Sequence, residues 1–269
     1  MKSSCAIVIP IYKPILSAFE AMALQQCKTI LSAYDMIIIK PASLNLTALT
    51  VDLPSSTKAI SFDDNYFRSV YDYNNLMLAS AFYEQFLNYE YMLIYQLDAF
   101  VFKNELEYWC NAGYDYIGAP WLPGKKMGKF KSTKESIRSF FHKRYNIKDK
   151  NGLIDTGRQT FKTVGNGGLS LRKVQKFYEI CLEHGTLIKS YKDKKTADFN
   201  EDIFWSIEIN RKTKLLHIPG YKQALLFSIE TAPELAMNIT NNQLPFGCHA
   251  WDKATDFWRP YFKQHGYLI

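Results

Sequence analysis

Tyr91-Met92-Leu93-Ile94-Tyr95-Gln96-Leu97-Asp98-Ala99-Phe100-Val101-Phe102 is the most apolar stretch of the chain, and it holds a single carboxylate, Asp98. A run this rich in aromatic and branched side chains reads as a buried strand over 91–102. What precedes it alternates. Residues 6–12 form a short β-branched run, 16–31 place apolar residues at helical spacing, 36–39 and 59–62 read as further strands, and 73–86 as a second amphipathic helix. Strand and helix in alternation predict an α/β fold with parallel strands, whose ligands bind at the carboxyl ends of the strands. A short helix over 106–112 and a strand over 114–119 continue the pattern.

After Pro120-Trp121-Leu122-Pro123 the periodicity stops and a basic segment begins. Residues 124–150 hold ten Lys or Arg against Glu135 and Asp149, a local +8 in a chain of net charge +7, so the remainder sums to about −1. The segment is expected to be part loop and part amphipathic helix around 137–141. Gly165-Asn166-Gly167-Gly168 then precedes a strand over 169–171 and a helix over 174–184. Residues 189–200 are a second polar stretch, 203–209 begin another helix, and 215–218 and 225–229 read as strands.

The 269 residues suffice for one large α/β domain and bury roughly three quarters of the unfolded surface without disulfides or structural metal. Apolar residues at 47% and charged residues at 22% exclude collagen-like, coiled-coil and wholly disordered classes. Nothing approaches the ~20 apolar residues of a membrane span, and the first apolar run, with Pro10 inside it and Lys13-Pro14 after it, does not read as a signal peptide. Five scattered cysteines without paired spacing suggest free thiols in a reducing cytoplasm.

Four segments carry candidate chemistry. Asp98 in an apolar strand is costly unless paired or metal-bound, so it is either a hydrogen-bonded core or turn residue or a hard-cation ligand. The glycines at 165, 167 and 168 permit close approach of backbone to a ligand, with Asn166 able to donate to a hydroxyl, although a plain tight turn explains them too. Asn200-Glu201-Asp202 suits a helix N-terminus, where capping accounts for the acids; facing a cleft, the same acids can act as a general base. His249 in Pro245-Phe246-Gly247-Cys248-His249-Ala250-Trp251 is either a satisfied buried histidine or the partner of Asp98 in a metal site.

Taken in order, these segments resemble bacterial glycosyltransferases of the GT-A fold, especially sugar transferases of surface-polysaccharide synthesis. The resemblance runs from Ile7 to about Trp251 and lapses over the basic segment. It implies a GT-A-like, Rossmann-type, mixed but mostly parallel sheet flanked by helices, in one domain with a basic insertion: a nucleotide-binding half over 1–121, a variable insertion over 122–163 and an acceptor-side half over 164–269. Pro10, Ile11 and Tyr12 take the place of the nucleotide-contacting loop. Gln96-Leu97-Asp98 stands where that superfamily has Asp-x-Asp, so Asp98 keeps the metal position while Gln96 departs from it. Asn166, Gly167 and Gly168 resemble the turn between donor and acceptor sites, Glu201-Asp202 the acidic pair whose Asp is the base in inverting members, and His249 the late metal-binding histidine. The implied cofactor is Mn²⁺ or Mg²⁺, the donor a nucleoside diphosphate sugar, UDP foremost, and the acceptor a glycan or lipid-linked hydroxyl. Tyr73 and Asn74 are placed near the base and the ribose or diphosphate.

The basic segment also suits an anionic membrane surface, such as the inner face of the cell membrane. Three other classes compete: a noncatalytic nucleic-acid-binding protein, which leaves Asp98, the acidic pair and His249 without purpose; a sugar nucleotidyltransferase, whose glycine- and cation-rich loop is absent from Pro10-Ile11-Tyr12-Lys13-Pro14; and a silent GT-A-like binding module. Nucleic acid is not the expected partner.

Overall fold

The computed structural model describes residues 3–49, 53–150, 152 and 154–269. Its elements run β1 (Ser3–Pro10), α1 (Ala18–Ile30), β2 (Asp35–Pro41), β3 (Lys58–Phe62), α2 (Val70–Met77), α3 (Ser80–Glu84), β4 (Tyr89–Tyr95), β5 (Ala99–Val101), α4 (Leu106–Asn111), β6 (Tyr116–Ile117), α5 (Lys129–Tyr145), α6 (Thr156–Gln159), β7 (Leu169–Lys173), α7 (Val174–Glu183) and α8 (Gly185–Lys192). There follow α9 (Glu201–Ile203), which continues into a π-helical turn over Phe204–Glu208, then α10 (Tyr221–Phe227), β8 (Ser228–Ile229), α11 (Pro233–Ile239), β9 (Gly247–His249) and α12 (Thr255–Gln264).

The main sheet has the order β3-β2-β1-β4-β7-β6; β1 to β4 are parallel and β7 runs against both β4 and β6. The mixed, mostly parallel sheet is thus as expected. Alternate residues of β1 and β4 feed two cores. Ile7, Ile9, Leu93 and Tyr95 pack with α1 and α4, while Ala6, Val8, Met92 and Ile94 pack with α2, α3 and α7. Strands buried on both faces read as continuous apolar runs, which is why they were legible.

Several expectations are corrected. The single strand over 91–102 is two strands in different sheets, because Gln96 N–H donates to Gly168 O at 2.9 Å and Ala99 N–H to Gln96 O at 2.9 Å, turning the chain at the polar residues. β5 then pairs with β9 in a second sheet of order β5-β9-β8. Asp98 therefore lies in the turn at the carboxyl end of β4 and not within a strand. The helix over 73–86 is broken into α2 and α3 at Leu78-Ala79. Residues 189–192 belong to α8, which buries Ile188 and Tyr191. Residues 215–218 join neither sheet; Leu215 and Leu216 donate to Asn210 Oδ1, so a side chain does the work of a neighbouring strand. Most of 225–229 is the end of α10, leaving only Ser228 and Ile229 paired, with β9.

Candidate active site

A cavity of about 550 Å³ opens at the carboxyl ends of β1 and β4, where the chain order departs in opposite directions across the sheet. Pro10, Ile11 and Tyr12 leave β1 along one wall, and Gln96, Leu97 and Asp98 leave β4 beside them. Tyr73 and Asn74 reach in from α2, Asn166, Gly167 and Gly168 from the turn before β7, Glu201 and Asp202 from α9, and His249 from β9. Thirteen residues singled out in the sequence thus meet at one site, while Gly165 packs against Trp121 instead of joining the lining.

The glycine turn, which lines the cavity through Gly167 and Gly168, also leaves room for the protein's own side chains. A Cβ at Gly168 would lie 1.8 Å from His249 Nε2, one at Gly167 2.2 Å from Glu201 Oε1, and one at Gly165 2.1 Å from the Trp121 ring. The missing side chains make room for the protein's own residues, and the turn thereby seats both the histidine and the acidic pair. Asn166 has φ 81°, and its Oδ1 accepts from Gly168 N–H at 2.9 Å, which holds the turn from within.

Glu201 and Asp202 have unlike surroundings. Glu201 is buried, and its Oε1 accepts from the wholly buried Arg172 at 3.1 Å, while Oε2 has no hydrogen-bond partner among the described residues. Arg172 also donates to Tyr83 OH and Ser170 Oγ, each at 3.0 Å. Among the described residues Asp202 forms no ion pair, and its Oδ1 accepts from Ile203 N–H at 2.7 Å. Burial, with the charges of Glu201 and Glu230 behind it, pushes the Asp202 carboxyl up to about 7. One carboxyl of the pair is thus held in a salt bridge, and the other exchanges its proton near neutrality. Glu201, the other candidate for the base in this acidic pair, has one oxygen engaged by Arg172.

His249 Nε2 lies 3.1 Å from Asp98 Oδ1 and 3.4 Å from Gln96 Oε1, and Nδ1 lies 3.6 Å from Glu230 Oε1. Burial alone would lower its affinity for a proton, but Asp98 and Glu230 together raise the imidazole to about 9. For Asp98, burial is likewise outweighed by His249, which holds the carboxyl below its usual range. Among the described residues no group of three or more His, Cys, Asp and Glu has the form of a metal site. Asp98, His249 and the Gln96 amide oxygen nonetheless converge. Donor atoms about 3 Å apart suit neighbouring positions on a small octahedral cation, and Glu230 behind Nδ1 would leave Nε2 free to ligate.

Asn74 proves to be tied to Asn200, Nδ2 to Oδ1 at 2.9 Å, and so bridges α2 to the start of α9. Tyr73 is turned inward with its hydroxyl buried near Gln96, whereas Tyr12 is 57% exposed at the rim. Sequence reasoning missed Lys13, Arg68, Ser69 and Glu20, which line the cavity, and Glu230. Ser69 is the α2 N-cap, accepting from Asp72 N–H, a signal present in Arg68-Ser69 before a helix. Glu230 carries no such signal, since it reaches His249 only through the pairing of β8 with β9.

The family DUF5672, described as a protein of unknown function, matches residues 56–249. No curated protein sequence matches the chain. Among solved structures it resembles the galactosyltransferase LgtC in complex with donor and acceptor sugar analogues, with TM-score 0.52 and 10% identity over 91% of this chain and 86% of that one. Mouse xyloside xylosyltransferase 1 gives TM-score 0.52 and 11% identity over 91% and 97% of the two chains. The bifunctional glycosyltransferase WbbM gives 0.50 and 14% over 93% of this chain but 46% of its own. The fold is accordingly that of the GT-A glycosyltransferases.

Proposed function

The chain belongs to the DUF5672 family, and we propose that it is a glycosyltransferase that moves a sugar from a nucleoside diphosphate sugar to a hydroxyl of a glycan or lipid-linked acceptor. The observation that carries this reading is the single cavity in which a chain of GT-A fold gathers Asp98, His249 and a near-neutral Asp202. UDP is the favoured nucleotide and surface-polysaccharide synthesis the favoured setting, both by family resemblance; five free cysteines suit a cytoplasmic site of action. The nucleotide-binding half is 1–121 and the acceptor-side half 164–269, with the basic segment between them.

In this reading the base stacks on Tyr12 at the rim, and the diphosphate lies against Lys13, Arg68 and the start of α2, where cations and a helix N-terminus favour negative charge. Asp98, His249 and Gln96 would hold Mn²⁺ or Mg²⁺, which supplies positive charge against the departing diphosphate. Asp202 accepts the proton of the acceptor hydroxyl as its oxygen attacks the anomeric carbon, while Glu201, held by Arg172, keeps Asp202 basic and in place. Transfer with inversion follows, because a base-assisted single displacement has no covalent intermediate. A retained anomeric configuration in the product would exclude Asp202 as that base.

The test is a thermal-shift panel of nucleoside diphosphates and their sugars with Mn²⁺, Mg²⁺ or EDTA. A ligand that binds only the native state raises the melting temperature. A metal-dependent rise with UDP or GDP, lost in Asp98→Ala, is the expected result; no rise with any nucleotide refutes the assignment.

A further inference from the structure

Helix α5 is built inside out. At 3.6 residues per turn, Phe130, Ile137 and Phe141 fall within an arc of about 40° on the side opposite Ser139. Ser139 and His142 are the buried residues of the helix, whereas Phe130 is 86% exposed, Ile137 54%, Phe141 46% and Tyr145 68%. The polar side is fastened to the body of the protein. Ser139 Oγ donates to Phe161 O at 3.3 Å and Lys143 Nζ to Thr163 Oγ1 at 2.9 Å, while Arg144, beside the opposite pole, reaches round to Arg211 O at 2.8 Å. The apolar pole is therefore held outward by the fold itself, and the Phe141 and Tyr145 rings stack on its surface with centroids 6.2 Å apart.

Charge surrounds this pole with one sign. Lys131 and Lys134 lie beside it on the helix, Lys125 and Lys126 precede it, and the one acid of α5, Glu135, is paired with Arg138 at 2.9 Å. Cations alone would suit a nucleic acid, and an apolar stripe alone would suit a second protein. Aromatic and aliphatic side chains at the centre with ammonium groups at the flanks match a surface that is apolar beneath and anionic above. We propose that α5 docks this chain onto an anionic lipid bilayer, with Phe130, Ile137 and Phe141 entering the acyl boundary and Lys125, Lys126, Lys131 and Lys134 at the level of the phosphates. Among the described residues no helix is long and apolar enough to cross a membrane, so this contact is interfacial. It stands independently of glycosyl transfer.

Co-sedimentation of the full chain with vesicles of phosphatidylglycerol and phosphatidylcholine, against phosphatidylcholine alone, tests it. Binding to the anionic vesicles only is expected. Phe130→Ser/Ile137→Ser/Phe141→Ser should weaken it at least tenfold, and Lys125→Gln/Lys131→Gln/Lys134→Gln about a hundredfold, at about fivefold per cation. The matching Lys→Arg variant should restore it. All these side chains face solvent, so circular dichroism and the nucleotide thermal shift should remain those of the wild type. Absence of vesicle binding overturns the proposal, as does binding that the apolar variant retains in full. So does a self-association or a nucleic-acid complex that the same variants abolish while vesicles are ignored.

Discussion

Replacing Asp202 by Asn should abolish transfer and yet stabilise the protein, by an amount that grows with pH. The Asp202 carboxyl is raised to about 7 in the folded chain by burial and by the charge of Glu201, against about 3.9 in an unfolded chain. Below about pH 4 both states hold the proton and the residue costs nothing. As pH rises, the unfolded chain releases its proton while the folded chain keeps it, so the native state loses stability until its own carboxyl ionises near 7. At about 1.4 kcal/mol per unit of difference, the cost rises from about 1.5 kcal/mol at pH 5 to about 4 at pH 8. Asparagine is uncharged at both, retains an oxygen to accept from Ile203 N–H, and escapes this cost. Urea denaturation of wild type and Asp202→Asn in EDTA at pH 5 and pH 8 should show the variant gaining about 2–3 kcal/mol on the wild type between the two. Parallel stabilities across that range would mean an ordinary carboxyl, and would remove the reason for assigning it as the base.

The same carboxyl sets the pH dependence of the reaction: kcat/KM should fall with decreasing pH through about 7, and a profile flat down to pH 5 would contradict base catalysis by Asp202. Gly168→Ala drives a methyl into the His249 ring and should cost about 1–3 kcal/mol, together with the metal dependence of nucleotide binding; calorimetry and the thermal-shift panel read the two effects. Arg172→Met leaves Glu201 buried with no cation and should destabilise by about 3–5 kcal/mol in urea, whereas Arg172→Met with Glu201→Gln should recover part of that loss.

Sequence alone determined the alternation of strands and helices, since doubly buried strands must be apolar throughout and surface helices must repeat near 3.6 residues. It also marked the chemically unusual residues, because a carboxylate or histidine amid apolar neighbours stands out without any coordinates. Tertiary structure decided what those residues face. The break at Gln96-Leu97-Asp98 depends on Gly168 O, seventy residues on, and the glycines at 167 and 168 are explained only by Glu201 and His249 lying where their Cβ atoms would be. Glu230 reaches His249 through a two-residue strand pairing that has no periodicity to read. Helix α5 was legible as amphipathic, but the side it turns to the protein is set by hydrogen bonds to Phe161 and Thr163. Periodicity is a local property of the chain; the partner that meets each face is fixed by contacts between segments far apart in it.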